Sequence, residues 1–244
     1  MKRIVSKLIT ITLTLSLVCG SVFVSNAASK PKNPRVTKSS VTWDCVYFGK
    51  YMQGTGSKKT KIKWRVLNVK DGKMLLLSDK NLETLPYYWS YVKDGSWEGS
   101  NARAFCNNTF LNEAFSSKER AAMKCGWNGA SEIANDKVFL LSLDEATNPK
   151  YGFSKSTDSF LPRGVTNSKH IPKYYVYNMR KISYPDRWML RNVEYGSVYT
   201  VSGGGYITAY YNVNEEKNCV RPAIVVKTSS KLWKKAGTVK KSKQ

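Results

Sequence analysis

Apolar and basic side chains alternate from residue 61 to 66 (KIKWRV), early in the chain. This period of two predicts a strand with one buried face, on which Trp64 lies. Asp71-Gly72 is a turn signal, and the apolar run at 74–77 (MLLL) predicts a buried returning strand. The segment therefore predicts a β-hairpin.

The hydrophobic period changes from two to that of a helix after residue 100. Ser100 is a suitable N-cap, and apolar residues follow at helical spacings. Ser116 and Glu119 have the spacing of a capping box, which predicts a second, shorter helix ending near Gly126. The apolar stripe of the first helix consists of Ala102, Phe105, Cys106, Phe110, Ala114 and Phe115.

Further strands are predicted on both sides of a long polar region. Residues 149–182 are polar and contain prolines, so we interpret them as an irregular insertion. A second hairpin is predicted around the three glycines at 203–205. The strands outside the first hairpin are predicted at 41–49, 138–143, 188–192, 198–201, 206–211 and 220–227.

The N-terminus has the three parts of a secretory signal peptide, and we predict that residues 1–27 are removed. A cationic start precedes an apolar stretch at 8–24, and small residues follow it. The protein is therefore expected to be extracellular, either secreted or associated with the cell wall. The apolar stretch is short for a membrane span, so we expect no transmembrane segment in the mature chain, with a single-pass anchor as the alternative. Cys19 raises the question of lipidation, but Leu17-Val18 lack the usual small residue, and simple cleavage is favoured.

Composition divides the remainder into three parts. Residues 28–40 are rich in Lys, Pro and Ser, which predicts a flexible basic leader. Residues 41–227 are predicted to form a single domain. Residues 228–244 carry six lysines and no acid, which predicts a disordered basic tail.

Net charge indicates the class of partner. The chain has 40 Lys and Arg against 17 Asp and Glu, a formal charge of +23. Such an excess favours anionic partners, of which wall polymers and lipid headgroups are extracellular, whereas a nucleic acid is not expected outside the cell. The alternative is that the charge only keeps the protein soluble.

Four cysteines follow the predicted signal peptide: Cys45, Cys106, Cys125 and Cys219. An even number in a secreted chain permits two disulfides in three possible pairings, and buried free thiols are the alternative. The chain has no CxxC motif and a single histidine, so neither a metal site nor a cofactor is expected.

A set of phrases along the chain resembles one bacterial family, domain of unknown function 6273, over about residues 41–227. The phrases are YFGKY at 47–51, IKWRVL at 62–67, LLLS at 75–78, WEGS at 97–100, FLNEAF at 110–115, KVFLLS at 137–142, WMLR at 188–191 and VRPA at 220–223. The resemblance implies an exported or surface-associated protein and supplies no activity. It also implies an α+β fold similar to C-type-lectin-like domains, with two or three helices beside a small, mostly antiparallel sheet and long loops. The predicted element order agrees with this fold.

Residues with catalytic chemistry are sparse. The single histidine, His170, lies in the polar insertion near no nucleophile signature. Paired carboxylates are able to hydrolyse glycosides, and the candidates near element ends are Asp44, Glu98, Asp144 and Glu145. The pair Asp144-Glu145 is better explained by the first turn of a helix, which favours negative charge. No catalytic residue is therefore assigned.

Aromatic and basic residues near the C-terminus are the candidate ligand-binding set. Trp188, Arg191, Tyr206, Tyr210 and Arg221 can form a rim that stacks on sugars or binds anionic polymers. The structural alternative is that the arginines are half-buried and tie loops together. The leading hypothesis is a non-enzymatic binding module for a cell-wall polymer, a carbohydrate or another anionic extracellular polymer. The rival is an extracellular hydrolase that uses carboxylates.

Overall fold

The computed structural model describes residues 30–53, 58–158 and 187–243. The predicted signal peptide, Cys19, His170 and most of the polar insertion lie outside these residues. The strands of the described part are β1 Arg35–Val36, β2 Ser40–Met52, β3 Lys59–Lys70, β4 Lys73–Ser78, β5 Glu83–Thr84, β6 Met123–Lys124, β7 Val138–Phe139, β8 Trp188–Glu194, β9 Ser197–Val201, β10 Ile207–Asn212, β11 Cys219–Val220, β12 Ala223–Lys227 and β13 Lys234–Ser242.

The first sheet has eight strands, with β1, β2, β3, β4, β12 and β6 adjacent in that order. Strand β13 also pairs with β2, and β7 pairs with β12. All these pairs are antiparallel. The predicted hairpin forms the middle of this sheet. Its strands β3 and β4 pair across the turn Asp71-Gly72, whose φ angles of 49° and 68° are those of a tight hairpin turn.

The second sheet has five strands in the order β10, β9, β8, β11 and β5. The predicted hairpin around residues 203–205 is present as β9 and β10. The pair of β11 and β8 is parallel, whereas the others are antiparallel. The fold is thus α+β and mostly antiparallel, and its sheets are larger than the small sheet expected.

The helical segment after Ser100 begins as predicted. Helix α1 Asn101–Ala104 continues as a π-helix, Phe105–Phe110, and then as α2 Leu111–Ala114. The Ser100 side chain accepts a hydrogen bond from the backbone of Arg103. The buried side chains of this segment recur every four residues, at Ala102, Cys106, Phe110 and Ala114. A four-residue repeat drifts around an α-helix of 3.6 residues per turn, and the wider π-helical turn keeps the stripe on one side.

Two shorter helices follow. Helix α3 Ser117–Ala122 has the predicted capping box between Ser116 and Glu119. It ends before Gly126, because Met123 becomes extended and enters β6. Helix α4 Leu143–Ala146 begins at a second capping box, and this shortens the strand predicted at 138–143 to Val138–Phe139.

Aromatic side chains form the core between the first sheet and the π-helical segment. Trp64 and Phe110 are fully buried, as the two periodicities predict. Both rings contact Phe115, with centroid distances of 6.2 and 5.7 Å, and Phe110 also packs edge-on against Tyr51. These contacts attach the helix to the sheet.

The two ends of the described chain differ from the prediction. The leader predicted to be flexible contains β1, and the tail predicted to be disordered contains the nine-residue strand β13. Lysine-rich composition suggested solvent exposure, which is correct for most of these side chains. The backbone of β13 nevertheless pairs with β2 from Tyr47 back to Ser40. Lysine side chains are common on edge strands, because their charge discourages pairing with another chain.

Candidate functional site

Three of the five predicted binding residues are buried and do not line a surface. Trp188 and Arg221 have no exposed area, and Arg191 is 6% exposed. The Arg221 guanidinium lies 4.9 Å from the centre of the Trp188 ring, and its Nε donates to the carbonyl of Ser78. Burial lowers the pKa of Arg221 well below its ordinary value, although nearby Asp79 opposes this effect. The two residues connect the second sheet to the first.

Arg191 forms a buried ion-pair group. Its Nε donates to Glu132 at 2.9 Å, and one terminal nitrogen donates to Glu145 at 2.5 Å and to the carbonyl of Leu140. Glu145 also accepts from the backbone of Ser142 at the start of α4. These contacts match the structural alternative, in which the arginine ties loops together.

The two remaining predicted residues lie at the surface, and sequence reasoning missed three other exposed aromatic residues. Tyr210 is 85% exposed, and Tyr206 is partly exposed immediately before β10. Trp89, Tyr91 and Tyr195 are 65%, 55% and 78% exposed. We call Trp89, Tyr91, Tyr195 and Tyr210 the aromatic surface.

Backbone hydrogen bonds join the three segments that carry the aromatic surface. The amide of Tyr88, next to Trp89, donates to the carbonyl of Val213 at 2.8 Å. The amide of Val213 in turn donates to the carbonyl of Gly196 at 2.9 Å. The loop at 88–97, the end of β10 and the turn between β8 and β9 are therefore held together as one rigid support.

Tyr91 packs directly over Gly196 in that turn. A Cβ atom at Gly196 would lie 2.7 Å from the Cε2 and Cζ atoms of the Tyr91 ring, and the φ angle there is 76°. Glycine is thus required at this position both for the backbone and for the close approach of the ring. The contact fixes Tyr91 against the turn that carries Tyr195.

Tyr195 itself occupies a strained backbone position. It precedes Gly196 in the two-residue turn and has a φ of 46°, a region that bulky side chains rarely adopt. The turns Asp71-Gly72 and Asn128-Gly129 have similar φ pairs with the Asp or Asn that this geometry favours. Neither the turn nor the core therefore explains a tyrosine at position 195.

A polar cleft of about 430 Å³ adjoins the aromatic surface at Tyr210. The Arg187 guanidinium stacks at 3.5 Å on the ring of Tyr211, which lines the cleft, and donates to Asn218 at 2.7 Å. The same arginine lies 3.6 Å from Glu215. The cleft is lined by Tyr210, Tyr211, Asn212, Asn214, Glu215, Glu216 and Lys217.

The candidate carboxylates of the rival hypothesis have structural partners or lie on separate elements. Asp44, in β2, pairs with Arg35 at 2.9 Å and accepts from the amide of Lys32. Glu145 pairs with Arg191, and Glu98 lies in the loop before Ser100. Among the residues that the structure describes, no three His, Cys, Asp or Glu side chains are grouped to hold a metal ion.

The four cysteines are free thiols, so none of the permitted disulfides is present. Cys45, Cys106 and Cys219 are buried, and Cys125 is exposed. Burial raises the pKa of the Cys45 thiol to about 12, and burial raises the pKa of Cys106 as well. The buried thiols therefore belong to the core, which is the alternative that the sequence left open.

None of the helices within residues 30–53, 58–158 and 187–243 is long and apolar enough to cross a membrane.

Comparison with known proteins gives a match to a protein family. The family model described as "Domain of unknown function (DUF6273)" matches residues 71–228, more than half of the chain. No curated protein and no solved structure matches the chain.

Proposed function

The chain belongs to the DUF6273 family, and we propose that it is a non-enzymatic carbohydrate-binding module that uses the aromatic surface and the adjoining cleft. The observation that carries this proposal is Tyr195, which is 78% exposed at a φ of 46°. Strained residues that local structure does not require are concentrated at functional sites. Because neither the turn nor the core requires a tyrosine at position 195, we infer that its exposed ring contacts a ligand.

The chemistry of the surface fits sugar rings. Exposed aromatic faces bury the apolar faces of a ligand at low entropic cost, because a tyrosine has few rotatable bonds. The amides of Asn212 and Asn214 and the carboxylate of Glu216 can hydrogen-bond sugar hydroxyls in the cleft. Rigid backbone support, as between Tyr88 and Val213, reduces the cost of ordering the site on binding.

The charged residues in and near the cleft favour a neutral ligand over a polyanion. The cleft contains Glu215 and Glu216 against Lys217, and Arg187 is already paired with Glu215. The excess of positive charge in the chain is therefore not at this surface, which favours a neutral saccharide here.

The setting of the module is also part of the proposal. The signal-like N-terminus supports secretion, so the saccharide is expected to be extracellular and at the cell wall. The helices beside a mostly antiparallel sheet and the loop-borne aromatic residues support a C-type-lectin-like fold. Fold alone does not imply sugar binding, and the argument rests on the aromatic surface.

The test is a glycan array with purified protein, followed by titration calorimetry with the saccharides retained. Tyr195→Asn and Trp89→Ala are each expected to cost more than about 1 kcal/mol of binding free energy, as central interface residues do. Tyr47→Ala, on β2 of the first sheet, is the matched aromatic control and should bind as the wild type does. Absence of any glycan binding, or equal affinity of all variants, contradicts the proposal, and release of reducing sugar by the wild type favours the rival hydrolase.

A further inference from the structure

A row of lysines crosses one end of the first sheet. Lys70 of β3 lies directly opposite Lys73 of β4, and Lys73 in turn lies directly opposite Lys227 of β12. Opposed residues of antiparallel strands point to the same face of the sheet, with Cα atoms about 4.5–5.5 Å apart. The three lysines are therefore neighbours on one face, at the end of the sheet that carries the turn Asp71-Gly72.

A fourth lysine lies on the same face, one strand further. Lys124 of β6 is opposite Val225 of β12. Val225 and Lys227 are two positions apart, and alternate residues of a strand share a face. Strands β3, β4, β12 and β6 are adjacent in that order, so each contributes one lysine to this corner. Lys70, Lys124 and Lys227 are exposed, and Lys73 is half-buried.

The loop that follows β6 lies over the same face. Asn68 is two positions before Lys70 on β3, and its side chain is hydrogen-bonded to that of Tyr151. The Tyr151 hydroxyl also accepts hydrogen bonds from Trp127 and Asn128 in the loop. The loop and the Lys70 side chain are therefore on one side of the sheet.

A cleft of about 370 Å³ is present between this loop and the hairpin. Sites for small molecules have volumes of about 300–1,000 Å³. The cleft is lined by Lys70, Asp71 and Lys73 of the hairpin, by residues 125–130 of the loop and by Ala134. Two of the four lysines thus line a concave site, and the other two flank it.

Asp71 is the single carboxylate among the residues that line the cleft. The turn explains its presence, because aspartate tolerates the left-handed backbone at its φ of 49°. The ion pairs of the described residues include neither Asp71 nor any of the four lysines. The nearby acids Glu132 and Asp136 are paired with Arg191 and Arg103. One carboxylate is thus present against four lysines, and the corner is net positive.

We propose that this cleft binds a small anion with a terminal phosphate group, through Lys70 and Lys73. Ammonium groups form charge-assisted hydrogen bonds with phosphate, and two opposed lysines suit a group with two negative charges. A terminal phosphate carries about 1.5 to 2 charges at pH 7. Its binding also relieves the repulsion between the opposed lysines. Lys124 and Lys227 attract the anion by their field, and no residue of the aromatic surface is required.

Titration calorimetry with inorganic pyrophosphate tests the proposal. The variant Lys70→Gln, Lys73→Gln should bind at least about tenfold more weakly than the wild type, because both direct contacts are lost. The matched control is Lys50→Gln, Lys61→Gln, since these lysines are also opposed on antiparallel strands but do not line the cleft. In about 0.1 M NaCl, where the screening length is about 10 Å, the control should bind within about threefold of the wild type.

The thiol of Cys125 reports where the anion binds, because it is exposed and lines the cleft. Pyrophosphate should slow alkylation of Cys125 by iodoacetamide in the wild type, relative to NaCl of equal ionic strength. The same concentration should have a smaller effect in Lys70→Gln, Lys73→Gln. Methyl phosphate should bind more tightly than dimethyl phosphate, because only the monoester has a terminal phosphate with a second ionisation.

A further variant, Lys70→Arg with Lys73→Arg, keeps both charges and should retain binding, which separates charge from packing. The glutamine variant should melt at or above the wild-type temperature, because it removes opposed like charges. Equal affinity of the two glutamine variants, or no binding by the wild type, would overturn the inference. Unchanged alkylation of Cys125 would place the anion elsewhere, and equal binding of dimethyl phosphate would contradict a site for a terminal phosphate.

Discussion

Val239 of β13 lies directly opposite Trp43 of β2, where the end of the chain completes the first sheet. Trp43 is fully buried, and its indole nitrogen donates to the carbonyl of Tyr151 at 2.8 Å. Val239 and Trp233 are partly buried against the same core. The lysine-rich C-terminus is therefore part of the folded domain.

Deletion of residues 228–244 is expected to destabilise the protein by at least about 2 kcal/mol, since several ladder hydrogen bonds of about 0.5–1.5 kcal/mol each are lost. Urea unfolding followed by tryptophan fluorescence measures the change. The triple variant Lys234→Gln, Lys235→Gln, Lys240→Gln is the control, because it removes charge and keeps the strand. Unchanged stability of the truncated protein would show that the segment is a disordered tail, as its composition suggests.

Replacement of Trp64 or Phe110 by alanine is expected to cost about 3–5 kcal/mol each, through lost burial and a cavity. Both side chains have no exposed area, and both contact Phe115. Because they share this neighbour, the cost of the double variant should differ from the sum of the single costs. Chemical denaturation of the three variants checks this, and additive values would show that the sheet and the helix pack independently.

Tyr195→Asn is expected to leave the protein at least as stable as the wild type, because asparagine tolerates the left-handed backbone that tyrosine does not. The same change should weaken saccharide binding. Asn128→Tyr, in the comparable turn Asn128-Gly129, is the reverse control and should lower the melting temperature. A less stable Tyr195→Asn variant would show that the tyrosine has a structural role.

The ion pair of Glu132 with Arg191 is expected to make stability depend on pH on the acid side. Burial alone would raise the pKa of Glu132, but a hydrogen bond from its own backbone and the Arg191 guanidinium lower it below the ordinary 4.5. A carboxylate with a lowered pKa stabilises the fold above its unfolded value, and this contribution is lost as the pH falls through the folded value.

Glu132→Gln should therefore be less stable than the wild type at pH 7, and the difference should shrink below about pH 4.5. Urea midpoints at pH 7 and pH 3 provide the measurement. Glu216→Gln, in the polar cleft, is the control and should follow the wild type at both values. A difference that stays constant with pH would mean that Glu132 acts by packing alone.

Cys125 is expected to be the one thiol of Cys45, Cys106, Cys125 and Cys219 that iodoacetamide labels at pH 8 in the folded protein. The other three are buried, and the raised pKa of Cys45 and Cys106 keeps those thiols protonated. Mass spectrometry of peptides identifies the labelled residue, and labelling in denaturant should reach all four. Protection of a pair of cysteines even in denaturant would reveal a disulfide.

The sequence alone correctly predicted the turns and helix starts that depend on neighbouring residues. The Asp71-Gly72 hairpin, the Ser100 cap and the capping box at Ser116 each depend on residues within a few positions of one another. Trp64 and Phe110 were placed correctly in the core by periodicity alone. These are short-range rules, and a single sequence contains them.

Long-range pairing could not be predicted from the sequence. Strand β13 is stabilised by β2, almost 200 residues earlier, while its composition suggests a solvated tail. Trp188, Arg191 and Arg221 were candidates for a binding rim, with half-buried arginines that tie loops together as the alternative. The structure matches the alternative, because Arg191 is neutralised by carboxylates from two other segments, which the sequence does not place next to it. One signal for the aromatic surface was present: the pair Tyr195-Gly196 occupies a two-residue turn between strands, where asparagine or aspartate would be expected.

The ends of the folded domain are adjacent in space. The amide of Lys243 donates to the carbonyl of Ser39 at 2.9 Å, and Ser242 is opposite Ser40 across the strand pair. A domain whose ends meet can be inserted into a loop of a host protein without separating the flanking chain. It can also be circularly permuted, with the old ends joined by a short linker and new ones opened at an exposed turn such as Asn128-Gly129.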